Sequence, residues 1–194
     1  MGVFELPQGY VEIRKIDLVE DKKAAFLVNM GAFGTLPLLF FIGLIFNPLS
    51  IVDSLNNFLN LFLNLSVLLV MWLAIVLYII AHEFVHGVFI KKYSGKKAKY
   101  GFTGVYAFAG SDAYFNKRQY IVISLAPVVL WGVIFFLLNI FLPVGWFWPV
   151  YLIQMMNISG AAGDIYVTRQ VCKLPADLLI KDAGVSMIMY SRMT

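Results

Sequence analysis

Four stretches of this chain approach or exceed the roughly 20 apolar residues needed to cross a bilayer: Ala24–Phe46, about Leu61–Ile90, Tyr120–Leu142 and Phe147–Val167. No other feature narrows the fold as much. In hydrocarbon every backbone polar group must be satisfied within the protein, and a helix does this by itself. The expectation is therefore an all-α integral membrane protein with four transmembrane helices. Gly34, Pro37 and Pro127 fall inside these stretches, which membrane helices tolerate when neighbours satisfy the freed backbone groups. Hydrophobic residues make up 61% and charged residues 13% of the 194. Water-soluble domains stand near 45–50% and about 25%. That balance excludes an ordinary cytosolic enzyme, a disordered chain and a nucleic-acid-binding domain. Length fits one domain over residues 1–194, with a three-span core over 61–170. The lone Cys172 excludes a disulfide framework.

The net charge of +4 is explained by where the charges lie. Arg14, Lys15, Lys22 and Lys23 precede the first stretch. Lys91, Lys92, Lys96, Lys97, Lys99, Lys117 and Arg118 lie between the second and third. Arg169, Lys173, Lys181 and Arg192 follow the fourth, which completes all 15 basic residues. The connections Asn47–Asn60 and Pro143–Trp146 carry none. By the positive-inside rule, both termini and the long central loop are expected in the cytoplasm of a multi-pass protein of the cell membrane. The basic balance thus reads as topology, with the lipid bilayer as partner and no nucleic acid.

Outside the apolar stretches two segments have a pattern. Residues 1–23 are mixed and polar, with no short apolar run behind a basic start, so a cleaved signal peptide is not expected. They read as a short strand or an interfacial segment. Tyr100, Phe102, Gly104, Tyr106 and Phe108 alternate with Gly101, Thr103, Val105 and Ala107. Period-two alternation predicts a cytoplasmic-side β-hairpin over 100–115, with its turn at Ala109–Asp112 and a return through Ala113–Phe115. Such a hairpin could anchor at the membrane interface or offer a strand edge to an extended peptide. The tail, with Leu174–Asp177 and Val185–Tyr190, could add a strand.

The chemistry lies in His82-Glu83-Phe84-Val85-His86. On a helix, residues four apart share a face, so both imidazoles can meet one ion, and Glu83 can reach a water beside it. These are the only two His in the chain. Two His and one Glu in this arrangement arise by chance in roughly one such chain in five thousand, so incidental placement is the weaker explanation. Intramembrane ionisable groups are also costly without partners. Catalytic zinc takes three protein ligands and keeps one position open for water, whose pKa it lowers so that a nearby carboxylate can take its proton. With no third His, the remaining ligand is expected to be a carboxylate at the same depth. His86 stands five residues before Lys91, and Asp164 five before Arg169. Asp164 therefore lies level with the His pair, about 7–8 Å inside the boundary at 1.5 Å per residue. An ion pair with Arg169 is the other reading of Asp164. Asn157, Gly160 and Asp164 would share one face of a single helix. Asn157 could hydrogen-bond a substrate backbone or oxyanion, or could bond between helices. The small run Gly160–Gly163, and Gly87 behind His86, would permit close packing.

This order of elements resembles the site-2 protease group of intramembrane zinc metallopeptidases, whose three-span core carries an acid ligand in its third span. That group has an LDG or PDG triplet where this chain has SGAAGD with no following Gly. The whole chain is more similar to the DUF3267 type of zincin peptidase, through LPQGYVEI, HEFVHG, SLAP, SGAAGD and LPADLLIKDAG. The resemblance covers nearly the full length. It implies His82, His86 and Asp164 as zinc ligands and Glu83 as catalytic base. The function expected is an intramembrane zinc endopeptidase cutting a membrane-protein or peptide substrate near the cytoplasmic face. The alternative is a non-catalytic protein that binds metal or a partner helix. A transporter would want a polar path across the membrane, and only one layer of charged groups is present.

Overall fold

The computed structural model describes residues 2–47 and 65–192. The connection expected beyond Asn47, and Leu61–Asn64 of the second stretch, lie outside the described residues. Helix α1 (Lys22–Phe46) starts where the Asp21 carboxylate accepts from the N–H groups of Lys23 and Ala24, satisfying two donors that a helix start leaves open. Helix α2 (Leu65–Ser94) carries both His. Helix α3 (Lys117–Phe141) opens on a reciprocal cap: Asn116 accepts from the Gln119 N–H, and the Gln119 side chain accepts from the Asn116 N–H. A 3-10 turn (Val144–Trp146) leads into α4 (Phe147–Gly160), and α5 (Ala162–Cys172) follows after one residue.

Among the described residues, three helices are long and apolar enough to cross a membrane: α1, Leu68–Ser94 of α2, and α3. Their outer faces leave Phe33, Phe41, Trp72, Phe136 and Phe141 more than 60% exposed. Contiguous apolar surface on this scale is rare in water, and it suits hydrocarbon.

The expectation of an all-α protein with four spans is overturned in two ways. The fourth stretch is not one helix. It breaks at Ala161, beside Gly160, into helices of 14 and 11 residues, each short of a span. Gly weakens a helix, and nothing on the side chain of Ala161 holds the ladder together. The chain also builds a four-stranded antiparallel sheet in the order β1 (Tyr10–Asp17), β6 (Ser186–Arg192), β5 (Leu179–Asp182), β4 (Tyr114–Asn116). Its strands come from both ends of the described chain and from the central loop. Only β6 shows plain period-two burial, with Met187, Met189 and Ser191 inward.

A separate hairpin pairs β2 (Lys99–Phe102) with β3 (Ala107–Gly110). Its turn is not at Ala109–Asp112. It falls at Thr103–Tyr106, where Gly104 takes φ +93° and Thr103 bonds Tyr106 through both backbone and hydroxyl. The expected return strand instead joins the larger sheet, Phe115 opposite Ile180.

The main core forms where this sheet meets the helix ends. Phe115, Ile180 and Met189 pack with Ile90, Ile123, Val167 and Val171, all nearly or fully buried. Each such side chain contributes about 1.5–3 kcal/mol relative to exposure. The sheet thereby gathers the chain before α1, the α2–α3 connection and the tail at one end of the helices. All 15 basic residues lie at that end or in the connections it holds.

Candidate metal centre

His82 and His86 stand one turn apart on α2, each 8% exposed, with ring centroids 5.0 Å apart. The Nε2 atoms of His82 and His86 lie 3.5 and 3.6 Å from Oδ2 of Asp164. The Ala161 break puts Asp164 in the first turn of α5, where the positive end of the helix favours a carboxylate. Ser124 of α3 holds that turn: its hydroxyl donates to the Asp164 carbonyl at 3.1 Å and accepts from Thr168 at 3.0 Å.

The other ring nitrogens are already engaged. His86 Nδ1 meets the Ile123 carbonyl of α3 at 2.8 Å. A carbonyl only accepts, so Nδ1 carries a proton and Nε2 is the nitrogen left to face Asp164. His82 Nδ1 meets the Tyr78 hydroxyl at 3.0 Å. That hydroxyl donates to Asn157 Oδ1 at 2.8 Å, and Asn157 Nδ2 donates to the Val128 carbonyl at 3.0 Å. The Val128 carbonyl fixes the Asn157 amide, the amide fixes the Tyr78 hydroxyl, and the hydroxyl oxygen is left to accept from His82 Nδ1. Both Nε2 atoms consequently face Asp164.

These donors suit a zinc ion. The three ligand atoms lie within 4.8 Å of one another. Tetrahedral ligands about 2.0–2.1 Å from a shared ion stand about 3.4 Å apart, near the separations from Asp164 to the two imidazoles. Two His and one carboxylate, each His held by a second acceptor, match a catalytic rather than a closed structural donor set. Glu83 lies on the same turn. Its Oε2 is buried without a hydrogen-bond partner among the described residues, while the Ala109 N–H points at its carboxylate.

A cavity of about 260 Å³ opens over this cluster, with Glu83, His86, Asp164, Phe108, Asp182 and Met187 in its wall. One edge of β3 pairs with β2, and Ala107–Ala109 also line the cavity. The hairpin sits close because position 87 is glycine: a Cβ there would stand 1.8 Å from the Tyr100 hydroxyl.

Sequence reasoning thus named four residues that the fold brings together: His82, Glu83, His86 and Asp164. Asn157 lies apart from Asp164, on the other side of the helix break. It is fully buried and bonded to Tyr78 and Val128. Tyr78 went unnamed, although its position four residues before His82 puts it on the same helix face. Asp182 reaches the cavity wall only through the sheet, which its place in the tail does not announce. Burial pushes its carboxyl up to about 7, against the hydrogen bond it accepts from the Gly184 N–H.

No curated protein and no solved structure matches the chain. A family model does, over residues 75–179, which is more than half of the 194 and includes every residue of the cluster. The description of that family, putative zincin peptidase, implies zinc, and the donor set just described suits that ion. On the extent of that match, this chain belongs to the DUF3267 family.

Proposed function

We propose that this protein is an intramembrane zinc endopeptidase that hydrolyses peptide bonds of membrane-associated substrates near the cytoplasmic face. The observation that carries the reading is Glu83: a buried carboxylate oxygen without a hydrogen-bond partner among the described residues, beside two imidazoles turned toward Asp164. A carboxylate oxygen buried without a hydrogen bond costs stability, and such costs gather at functional sites. His82, His86 and Asp164 hold the ion. Bound zinc supplies the Lewis acidity that makes a water molecule a nucleophile at neutral pH. Glu83 takes the proton from that water at Oε2 and passes it to the leaving amine.

The cavity wall suits an extended substrate. The Ala107–Ala109 edge of β3 can pair with an unwound segment and hold it across the cluster, main chain to main chain. The exposed apolar faces of α1, α2 and α3 support a place in the bilayer, and the basic residues at the sheet end support a cytoplasmic orientation of that end.

Zinc content and cleavage of a transmembrane reporter test this together. Wild type holds about one zinc per chain, and His86→Ala and Asp164→Ala lose it. Glu83→Gln keeps the zinc and loses cleavage. Full cleavage by Glu83→Gln would remove Glu83 from the mechanism, and unchanged zinc in Asp164→Ala would remove Asp164 from the ligand set.

A further inference from the structure

Helix α3 contains a proline near its middle, Pro127, which is fully buried. In an α-helix the carbonyl of residue i accepts from the N–H of residue i+4. For Ile123 that residue is Pro127, which has no N–H, and a proline ring also pushes against the carbonyl four residues before it. The Ile123 carbonyl is therefore left without its helical donor. It is this carbonyl that accepts from His86 Nδ1, at 2.8 Å. The bond crosses from α3 to α2 and is buried.

We propose that Pro127 is a positioning residue of the metal centre. By withholding a backbone N–H, it reserves the Ile123 carbonyl for His86, holding that imidazole in the tautomer whose Nε2 faces Asp164. The proposal rests on the reading of His86 as a ligand. It gives an interior proline, which an α-helix otherwise tolerates poorly, a reason to be where it is. The neighbouring Ser124 pins Asp164 from the same turn of α3. One turn of that helix thus sets both a ligand imidazole and the ligand carboxylate.

The test is a zinc titration of the full-length protein in detergent, by competition with a chromophoric chelator, beside thermal unfolding of the metal-free form. Pro127→Ala restores the N–H. Losing such a supporting acceptor typically weakens metal binding about 10–100-fold, and that is the loss expected. Thermal unfolding of the metal-free form reads the separate cost of the lost ring and of the freed His86 Nδ1. A merely structural proline would weaken zinc binding equally with and without an N–H at position 127.

Two further variants separate the N–H from packing. L-lactate at position 127, introduced by nonsense suppression, has the alanine side chain and no N–H, and should bind zinc as wild type does. Pro37→Ala restores an N–H inside α1, outside the cavity wall, and should leave zinc affinity unchanged. Wild-type affinity in Pro127→Ala, or equal weakening with alanine and lactate, overturns the role of Pro127. Zinc binding that survives His86→Ala overturns the ligand reading itself, and the present proposal with it.

Discussion

Tyr78 decides the state of an atom it does not belong to. Its hydroxyl gives its only hydrogen to Asn157 and so must accept from His82. Tyr78→Phe keeps the ring against Trp131 and Phe135 and removes only the oxygen. His82 Nδ1 and Asn157 Oδ1 would then be buried without that partner, at about 1–3 kcal/mol for each group. The expected result is zinc affinity lowered about 10–100-fold, with the stoichiometry kept at saturating zinc, read by the same chelator competition. Unchanged affinity would mean that His82 finds its tautomer without Tyr78. At this scale much of the centre was legible. The spacing of His82 and His86 puts them on one helix face, and the matched distances to Lys91 and Arg169 single out Asp164. Neither the Tyr78–Asn157 bond nor the His86–Ile123 bond could be read that way. Each joins residues of different helices, 79 and 37 positions apart.

At the scale of elements, the hairpin and the β5–β6 turn close one side of the cavity by backbone approach. The Ser111 N–H donates to the Asp182 carbonyl at 2.7 Å, and a Cβ on Gly110 would stand 2.7 Å from the carbonyl carbon of Ala183. Backbone cannot swing aside as a side-chain tip can. Gly110→Ala is expected to destabilise the protein by about 1–3 kcal/mol, seen as an earlier thermal transition, while zinc stoichiometry stays at wild type because α2 and α5 carry the proposed ligands. Loss of zinc in that variant would show that the hairpin supports the ligands as well as the wall. The break at Ala161 belongs to this scale too. The apolar run through Phe147–Val167 reads as one helix, because hydropathy reports length and not continuity. Gly160 was the local sign of the break, and it was read only as a packing residue.

At the scale of the whole molecule, the sheet brings a carboxyl from the tail into the cavity wall. Asp182 is held near 7 by burial, against about 3.9 in an unfolded chain. Between those values the folded protein keeps a proton that the unfolded chain has lost. The contribution to stability is full below about pH 4, falls as pH rises, and is gone above about pH 7. Asp182→Asn should therefore leave the thermal midpoint of the metal-free protein unchanged near pH 4 and raise it near pH 8. Equal midpoints at both pH values would show that Asp182 ionises freely in the fold.

The sequence by itself determined what local patterns determine. Apolar length set the long helices, the spacing of two His put them on one face, and the placement of Lys and Arg marked one end of the molecule. The tertiary structure alone decided what depends on pairing distant segments. Tyr10 lies opposite Arg192, and Asp182 bonds back to Ser111. Strands of three to eight residues carry too little pattern to announce a partner more than 100 positions away. Their register is settled only when Ile180 and Met189 find the ends of the helices to pack against. His82 and His86 were legible as a pair because a helix repeats every 3.6 residues. Their supports were not, because a bond between helices leaves no period in the chain.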